Sequence, residues 1–155
     1  MHAAAAGRAR GRRYPRYLPA DPGAFVTSHQ EFAAWVAVNR DGRVIGHVAL
    51  HDAAGDPTLE LAERRTGRSA DHLAVVARLL VAPDSRRAGL GGAPLAVATE
   101  HARSIRRRAV LDVVQDSAAP IALYEATGWT RLEEPLRLAL EDGRHLDLWS
   151  YVAPE

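Results

Sequence analysis

Apolar residues recur along this chain in two rhythms, every second position and every third or fourth, and the switches between them mark out its elements. Phe32 to Val38 and Val44 to His51 are rich in strand formers and are joined by Asn39-Arg40-Asp41-Gly42-Arg43, a connection with the Asp-Gly chemistry of a hairpin. Leu73 to Val81 is an apolar run of strand length that reaches Pro83 and reads as the central strand. From Ala93 to Arg108 the spacing turns helical: Leu95, Ala98, Ala102 and Ile105 share a face, Glu100 and Arg103 lie outside it, and Pro94 is tolerated in the first turn. Val110 to Val114 returns to a buried-strand pattern, after which Gln115-Asp116-Ser117 caps a helix predicted to run to about Thr127, with Gly128 as terminator. Trp129 opens another strand. Leu136, Leu138 and Leu140, then Leu146 and Leu148, alternate around Glu141-Asp142-Gly143-Arg144, predicting a final hairpin with Trp149 and Tyr151 on the face opposite Leu148.

Two stretches break these rhythms. Residues 1–24 read as an irregular segment, because Tyr14-Pro15-Arg16-Tyr17-Leu18-Pro19-Ala20-Asp21-Pro22 holds too much proline for a helix or a central strand. Asp52 to Ala70 holds a short helix, with Asp56 as its cap, Pro57 in its first turn and Gly67 closing it. Gly67-Arg68-Ser69-Ala70-Asp71 lacks the last glycine of a nucleophile elbow, which removes a serine-hydrolase reading.

Length and composition narrow the choices further. At 155 residues and 47% hydrophobic, the chain suffices for one domain with a proper core and is too short for two. No apolar run approaches the ~18 residues of a membrane span, and the first residues lack the apolar centre of a signal peptide, so the chain reads as soluble and cytoplasmic. It has no cysteine, which excludes disulfides, thiolate metal sites and cysteine nucleophiles. The net charge of +1 is unevenly spread: Arg8, Arg10, Arg12, Arg13 and Arg16 give the first sixteen residues +5, and fifteen arginines against nineteen acids leave the remainder at −4. That basic arm reads as a solvated leader in preference to a nucleic-acid contact, since no aromatic interleaving accompanies it. His47 and His51 share a strand face about 13 Å apart, too far to bind one metal ion.

The remaining signal is the stretch from Arg78 to Pro94, where strand, Arg/Gly turn and helix follow one another. Gly89, Gly91 and Gly92 let the backbone approach a ligand, and the N–H groups opening the next helix have no intrahelical partner, an arrangement suited to a phosphate or pyrophosphate. A Walker loop is excluded because the chain contains no lysine, and the dinucleotide fingerprint fails where Pro94 replaces its third glycine. Arg86-Arg87-Ala88-Gly89-Leu90-Gly91 fits Arg/Gln-x-x-Gly-x-Gly/Ala, and here the chain resembles the general N-acetyltransferase (GNAT) superfamily. A second stretch, Ile121-Ala122-Leu123-Tyr124-Glu125-Ala126-Thr127-Gly128-Trp129, resembles that superfamily's Leu-Tyr-x-x-x-Gly-Phe signature at the family's spacing. The resemblance covers residues 31–155.

The resemblance implies an α/β fold, a mixed and mostly antiparallel sheet with a splayed central strand pair flanked by helices, in an N-acetyltransferase domain over residues 25–155. The family's first strand and helix are not visible in this sequence and are expected to be missing or shortened; a homodimer is one way of covering the edge that would leave. The family often has only a short turn where Asp52 to Ala70 stand, so that insertion is either a determinant of acceptor choice or a surface elaboration. The resemblance further implies acetyl-CoA as acyl donor and an amine as acceptor, with no metal and no membrane. Its pantetheine arm would bond to the backbone of Leu79, Leu80 and Val81. Arg86, Arg87, Ala88, Gly89, Leu90, Gly91 and Gly92 would cradle the pyrophosphate. Ser117 stands where the family commonly has asparagine against CoA, and Tyr124 is the candidate acid for the departing thiolate, with a backbone N–H near Val81 as oxyanion donor. The strand glutamate some members use as base is absent, its two positions being Ala77 and Val75. A water chain, His47, His72, Glu31 or an amine that arrives neutral are left as ways to lose the proton. That gap keeps open a second function class, an acyl-CoA-binding regulatory module without turnover.

Overall fold

The computed structural model describes residues 30–87 and 92–155. Within them the strands are β1 (Glu31–Val38), β2 (Val44–Asp52), β3 (Leu73–Val81), β4 (Arg108–Val114), β5 (Thr130–Arg131), β6 (Leu136–Ala139) and β7 (His145–Val152). The helices are α1 (Leu59–Thr66), α2 (Pro83–Arg87), α3 (Gly92–Ser104) and α4 (Ala118–Ala126), with a 3₁₀ turn at Ala70–His72. Among the described residues the strands form one sheet in the order β1-β2-β3-β4-β7-β5, and β6 also pairs with β7. All pairs are antiparallel except β3–β4. This is the mixed sheet the resemblance implies. The basic segment and the question of a first strand and helix lie outside the described residues, as do Ala88, Gly89, Leu90 and Gly91.

Alternation decides which side of the sheet each residue serves. Val48 and Leu50 of β2, Ala74 and Val76 of β3, Leu111 and Val113 of β4 and Tyr151 of β7 meet Leu95, Ala98 and Ala102 of α3 and Tyr124 of α4 in the larger core. The opposite parity, Leu73, Val75, Val110 and Val152, meets Ala62 of α1 together with Ala53 and Leu132. Trp149 and Tyr151 fall on the α3 side, away from Leu148, as the alternation predicts.

Three boundaries differ from the sequence pattern, each for a local reason. The helix after the glycine turn stops at Ser104, because Arg106 takes φ +62° and the chain turns into β4; Ile105, apolar and in phase, is left 41% exposed. The arginines that crowd this corner are divided among separate acids, Arg103 with Glu100, Arg107 with Asp52 and Arg108 with Glu155. The insertion helix starts at Leu59 with Thr58 as N-cap, and Asp56 instead accepts the Thr58 N–H at 2.8 Å in an Asx turn. Gly67 does close it, at φ +69° with its N–H on Glu63 O at 2.8 Å. A Cβ at Gly67 meets nothing within 4 Å, so Gly67→Ala tests conformation alone. It is expected to lower stability by about 1 kcal/mol in urea unfolding.

Candidate active site

The central parallel pair is short. β3 and β4 pair at Leu73↔Arg108, Ala74↔Ala109 and Val75↔Val110, and the register goes no further, although β3 continues to Val81 and β4 to Val114. A β-bulge accounts for the divergence: against β2 the pairing steps from Ala49↔Ala77 to His47↔Leu80, two residues on β2 for three on β3. Arg78, in the extra step, takes φ +53°, and a bulge of this kind bends and twists its strand. A non-glycine residue holds that conformation only where its surroundings fix it. Here His47 Nδ1 donates to the Arg78 carbonyl at 3.0 Å. Arg78 Nη1 donates to Glu31 Oε2 at 3.2 Å and to His51 Nε2 at 3.1 Å. Burial, followed by the Arg78 charge, pulls the His51 pKa down, consistent with a neutral ring that accepts at Nε2.

The edge of β3 beyond Val75 carries the polar backbone that a ligand arm needs. Ala82 N–H donates to Ile45 O at 2.8 Å, so alternation turns the Val81 N–H and C=O away from β2 and toward the gap. Arg86, in the single helical turn of α2, folds back so that its Nε donates to Val81 O at 2.7 Å. Leu79 packs its side chain against the larger core and, like Val81, offers the gap its backbone, whereas Leu80, opposite His47, turns its N–H and C=O toward β2. Gly92 opens α3 with Leu123 Cδ1 3.6 Å from where its Cβ would stand.

On the β4 side, Ser117 is the N-cap of α4, yet its side chain makes no cap hydrogen bond. Pro120 occupies the third helical position and has no N–H to offer it. The cap predicted from sequence is therefore positional only. Tyr124 is 5% exposed, with its ring 6.1 Å from that of Trp129 and 5.6 Å from that of Tyr151, whose hydroxyl donates to Glu125 Oε1 at 3.1 Å. Of the groups considered for proton removal, Glu31 is engaged by Arg78 and His47 by the Arg78 carbonyl. His72 sits beside Ser69 at the start of β3, roughly 30 Å along the strand from Val81.

A further set of groups went unrecognised in the sequence. Asp112, on β4, shares the α1 side of the sheet with Val110 and accepts a hydrogen bond from Thr58 Oγ1 at 3.3 Å. Burial, reinforced by the neighbouring charge of Asp56, raises its pKa to about 6. Burial also raises that of Asp56. Directly across on β7 is Ser150, 0% exposed. The available signal was a single acid inside the apolar run Ala109-Val110-Leu111-Asp112-Val113-Val114.

The comparisons with known proteins agree with this architecture. The sequence model of the Acetyltransferase (GNAT) family matches residues 5–129. The chain belongs to that family and is thus a transferase by family. A search of curated protein sequences gave no match. Among solved structures, Arabidopsis thaliana NAA60 in complex with a bisubstrate analogue superposes with a TM-score of 0.64 at 20% identity, over 83% of this chain and 78% of that one. The same plant protein in complex with acetyl-CoA gives 0.59 at 21% identity, over 77% and 73%. The ribosomal-protein-alanine N-acetyltransferase of Brucella melitensis gives 0.61 at 24% identity, over 79% and 68%. At these identities the likeness is one of fold. No helix among the described residues is long and apolar enough to cross a membrane, and no cluster of three or more candidate metal ligands occurs among them.

Proposed function

We propose that the protein is an N-acetyltransferase that moves the acetyl group of acetyl-CoA to a primary amine, of a small molecule or of a protein N-terminus, by direct attack. The observation that carries this reading is the gap between β3 and β4, open beyond Val75↔Val110 and edged by backbone of Leu79 and Val81. A pantetheine arm has amides that pair with such an edge as an added strand would. The pyrophosphate would rest on Arg86 to Gly92, and Ser117, whose hydroxyl is not spent on a cap, is available to hydrogen-bond CoA.

In the reaction the neutral amine attacks the thioester carbon while the Val81 N–H stabilises the oxyanion. As the adduct collapses the carbon–sulfur bond breaks, and Tyr124 supplies the proton that the thiolate needs. Calorimetric titration of acetyl-CoA tests the reading. Binding to the wild type is expected, with loss in Gly89→Glu and Gly91→Glu, which place bulk and negative charge in the loop. A folded wild type that gives no heat with acetyl-CoA overturns it.

A further inference from the structure

The bulge in β3 decides which side of the sheet takes the Arg78 side chain. Val76 belongs to the larger core, and strict alternation would send residue 78 there as well. Leu79 takes that core position instead, and the Arg78 side chain lies on the α1 side with His51, whose strand partner Val75 belongs to the second core. The same step resets the backbone. Ala77 pairs with Ala49, but Leu80 pairs with His47 and Ala82 bonds Ile45. The groups turned away from β2 are therefore those of Ala74 and Val76 before the bulge, and of Leu79 and Val81 after it. In an unbroken strand Arg78 and Leu80 would stand in their place.

Three side chains hold this arrangement. Arg78 keeps a left-handed backbone, φ +53°, which a residue with a Cβ adopts at roughly a tenfold disadvantage. Its side chain is 9% exposed, and Nη1 donates to Glu31 Oε2 on β1 and to His51 Nε2 on β2. Its carbonyl takes the His47 Nδ1–H, which that ring can donate in either charge state. His51 has no such freedom, because Nε2 accepts from Arg78 only while it carries a lone pair. Once protonated, it sets a second cation 3.1 Å from the guanidinium, with the Glu31 carboxylate shared between the two. The other charges around His51 are occupied elsewhere, Asp52 by Arg107 and Asp56, in the β2–α1 connection, by the Thr58 N–H.

We infer that Arg78, tied to Glu31 and to a neutral His51, is a positioning residue for the acyl donor: the tie holds the backbone of Leu79 and Val81 toward the gap, and it lets go when His51 is protonated. Acetyl-CoA is then bound less tightly in acid. This rests on the acyl-transfer reading above and adds to it a residue that acts on the donor through the strand. Burial and the Arg78 charge, which lower the His51 pKa from its ordinary 6.5, keep the ring neutral at neutral pH and put the release on the acid side of that value.

The test is calorimetric titration of acetyl-CoA into the full chain and three variants, each shown to be folded by a thermal melt. Arg78→Ala drops the tie and keeps a Cβ. It is expected to bind at least about tenfold more weakly at pH 7.5, since the binding-competent backbone is less populated. Arg78→Gly also drops the tie but enters the left-handed region freely, and is expected to recover to within about threefold of wild type. That order reverses the usual one in a strand interior, where glycine is the weaker residue. A guanidinium that bonded the donor directly would leave both variants equally weak. His51→Gln keeps an acceptor for Arg78 and does not titrate. It is expected to bind within about threefold of wild type at pH 7.5 and at least about threefold more tightly than wild type at pH 5.0. This comparison leaves Arg78 in place, so it decides even where Arg78→Ala does not fold. Three results each overturn the inference alone: Arg78→Ala within twofold of wild type, Arg78→Gly no tighter than Arg78→Ala, or His51→Gln losing as much affinity as wild type between the two pH values. A folded wild type that binds no acetyl-CoA brings down the acyl-transfer reading, and this inference with it.

Discussion

Tyr124→Phe is expected to lower kcat about a hundredfold or more while leaving the affinity for acetyl-CoA within about twofold. The substitution takes away one oxygen and keeps the ring that packs on Trp129 and Tyr151, so the core it belongs to stays filled. A tyrosine so thoroughly buried is first of all a core residue, and truncating it to alanine would confound chemistry with a cavity worth about 3–5 kcal/mol. The phenylalanine variant separates the two roles. Steady-state kinetics and a thermal melt on the same preparation decide: a fall in kcat with a melt close to wild type assigns the hydroxyl to proton transfer. An unchanged kcat assigns Tyr124 to packing alone.

The second large effect concerns stability against pH. Asp112 titrates near pH 6 in the folded protein, chiefly because burial disfavours its charged form, and near 3.9 in the unfolded chain. Between those values the folded state holds a proton that the unfolded state has released, so the unfolded state binds fewer protons and the contribution of this group falls as pH rises. It is favourable below about pH 4, and by pH 7 it has lost at most about 3 kcal/mol. Asp56, shifted in the same direction by burial, adds to the slope. Asp142 and Asp147, held low by hydrogen bonds from Arg144 and Arg137, contribute in the opposite sense at lower pH. The discriminating measurement is therefore the difference between wild type and Asp112→Asn in urea unfolding at pH 4.5 and pH 7.5. The variant is expected to gain most at the higher pH. An equal difference at both values would mean that Asp112 carries no such penalty.

Much of this architecture can be read locally. Runs of strand formers about an Asp-Gly turn give β1 and β2, and a continuous apolar run of strand length gives β3, each to within a residue or so. The signature ending at Trp129 places Tyr124 on a helix for the same reason: its neighbours in sequence are its neighbours in space. Asp112 and Ser150 could not be paired that way. They are 38 positions apart, and only the antiparallel register of β4 on β7 sets them opposite each other. Thr58 was likewise read as part of a helix start, since nothing nearby in sequence announces that its hydroxyl is used by a residue on another strand. Ile105 misled in the other direction, as an apolar residue in phase with a helix that had already ended.

The connection from β2 to β3 has a role its position in the chain does not suggest. β1, β2 and β3 come from the first half of the sequence and β4 to β7 from the second, and the two groups of strands share only three paired positions. The insertion reaches across that seam, with Thr58 on Asp112, Arg64 on Glu134 and Ala62 in one core with Val110, Leu132 and Val152. It straps the two halves together on one face of the sheet, while α3 spans the same seam on the other. Sequence drift in this loop is consequently felt in how firmly the halves cohere.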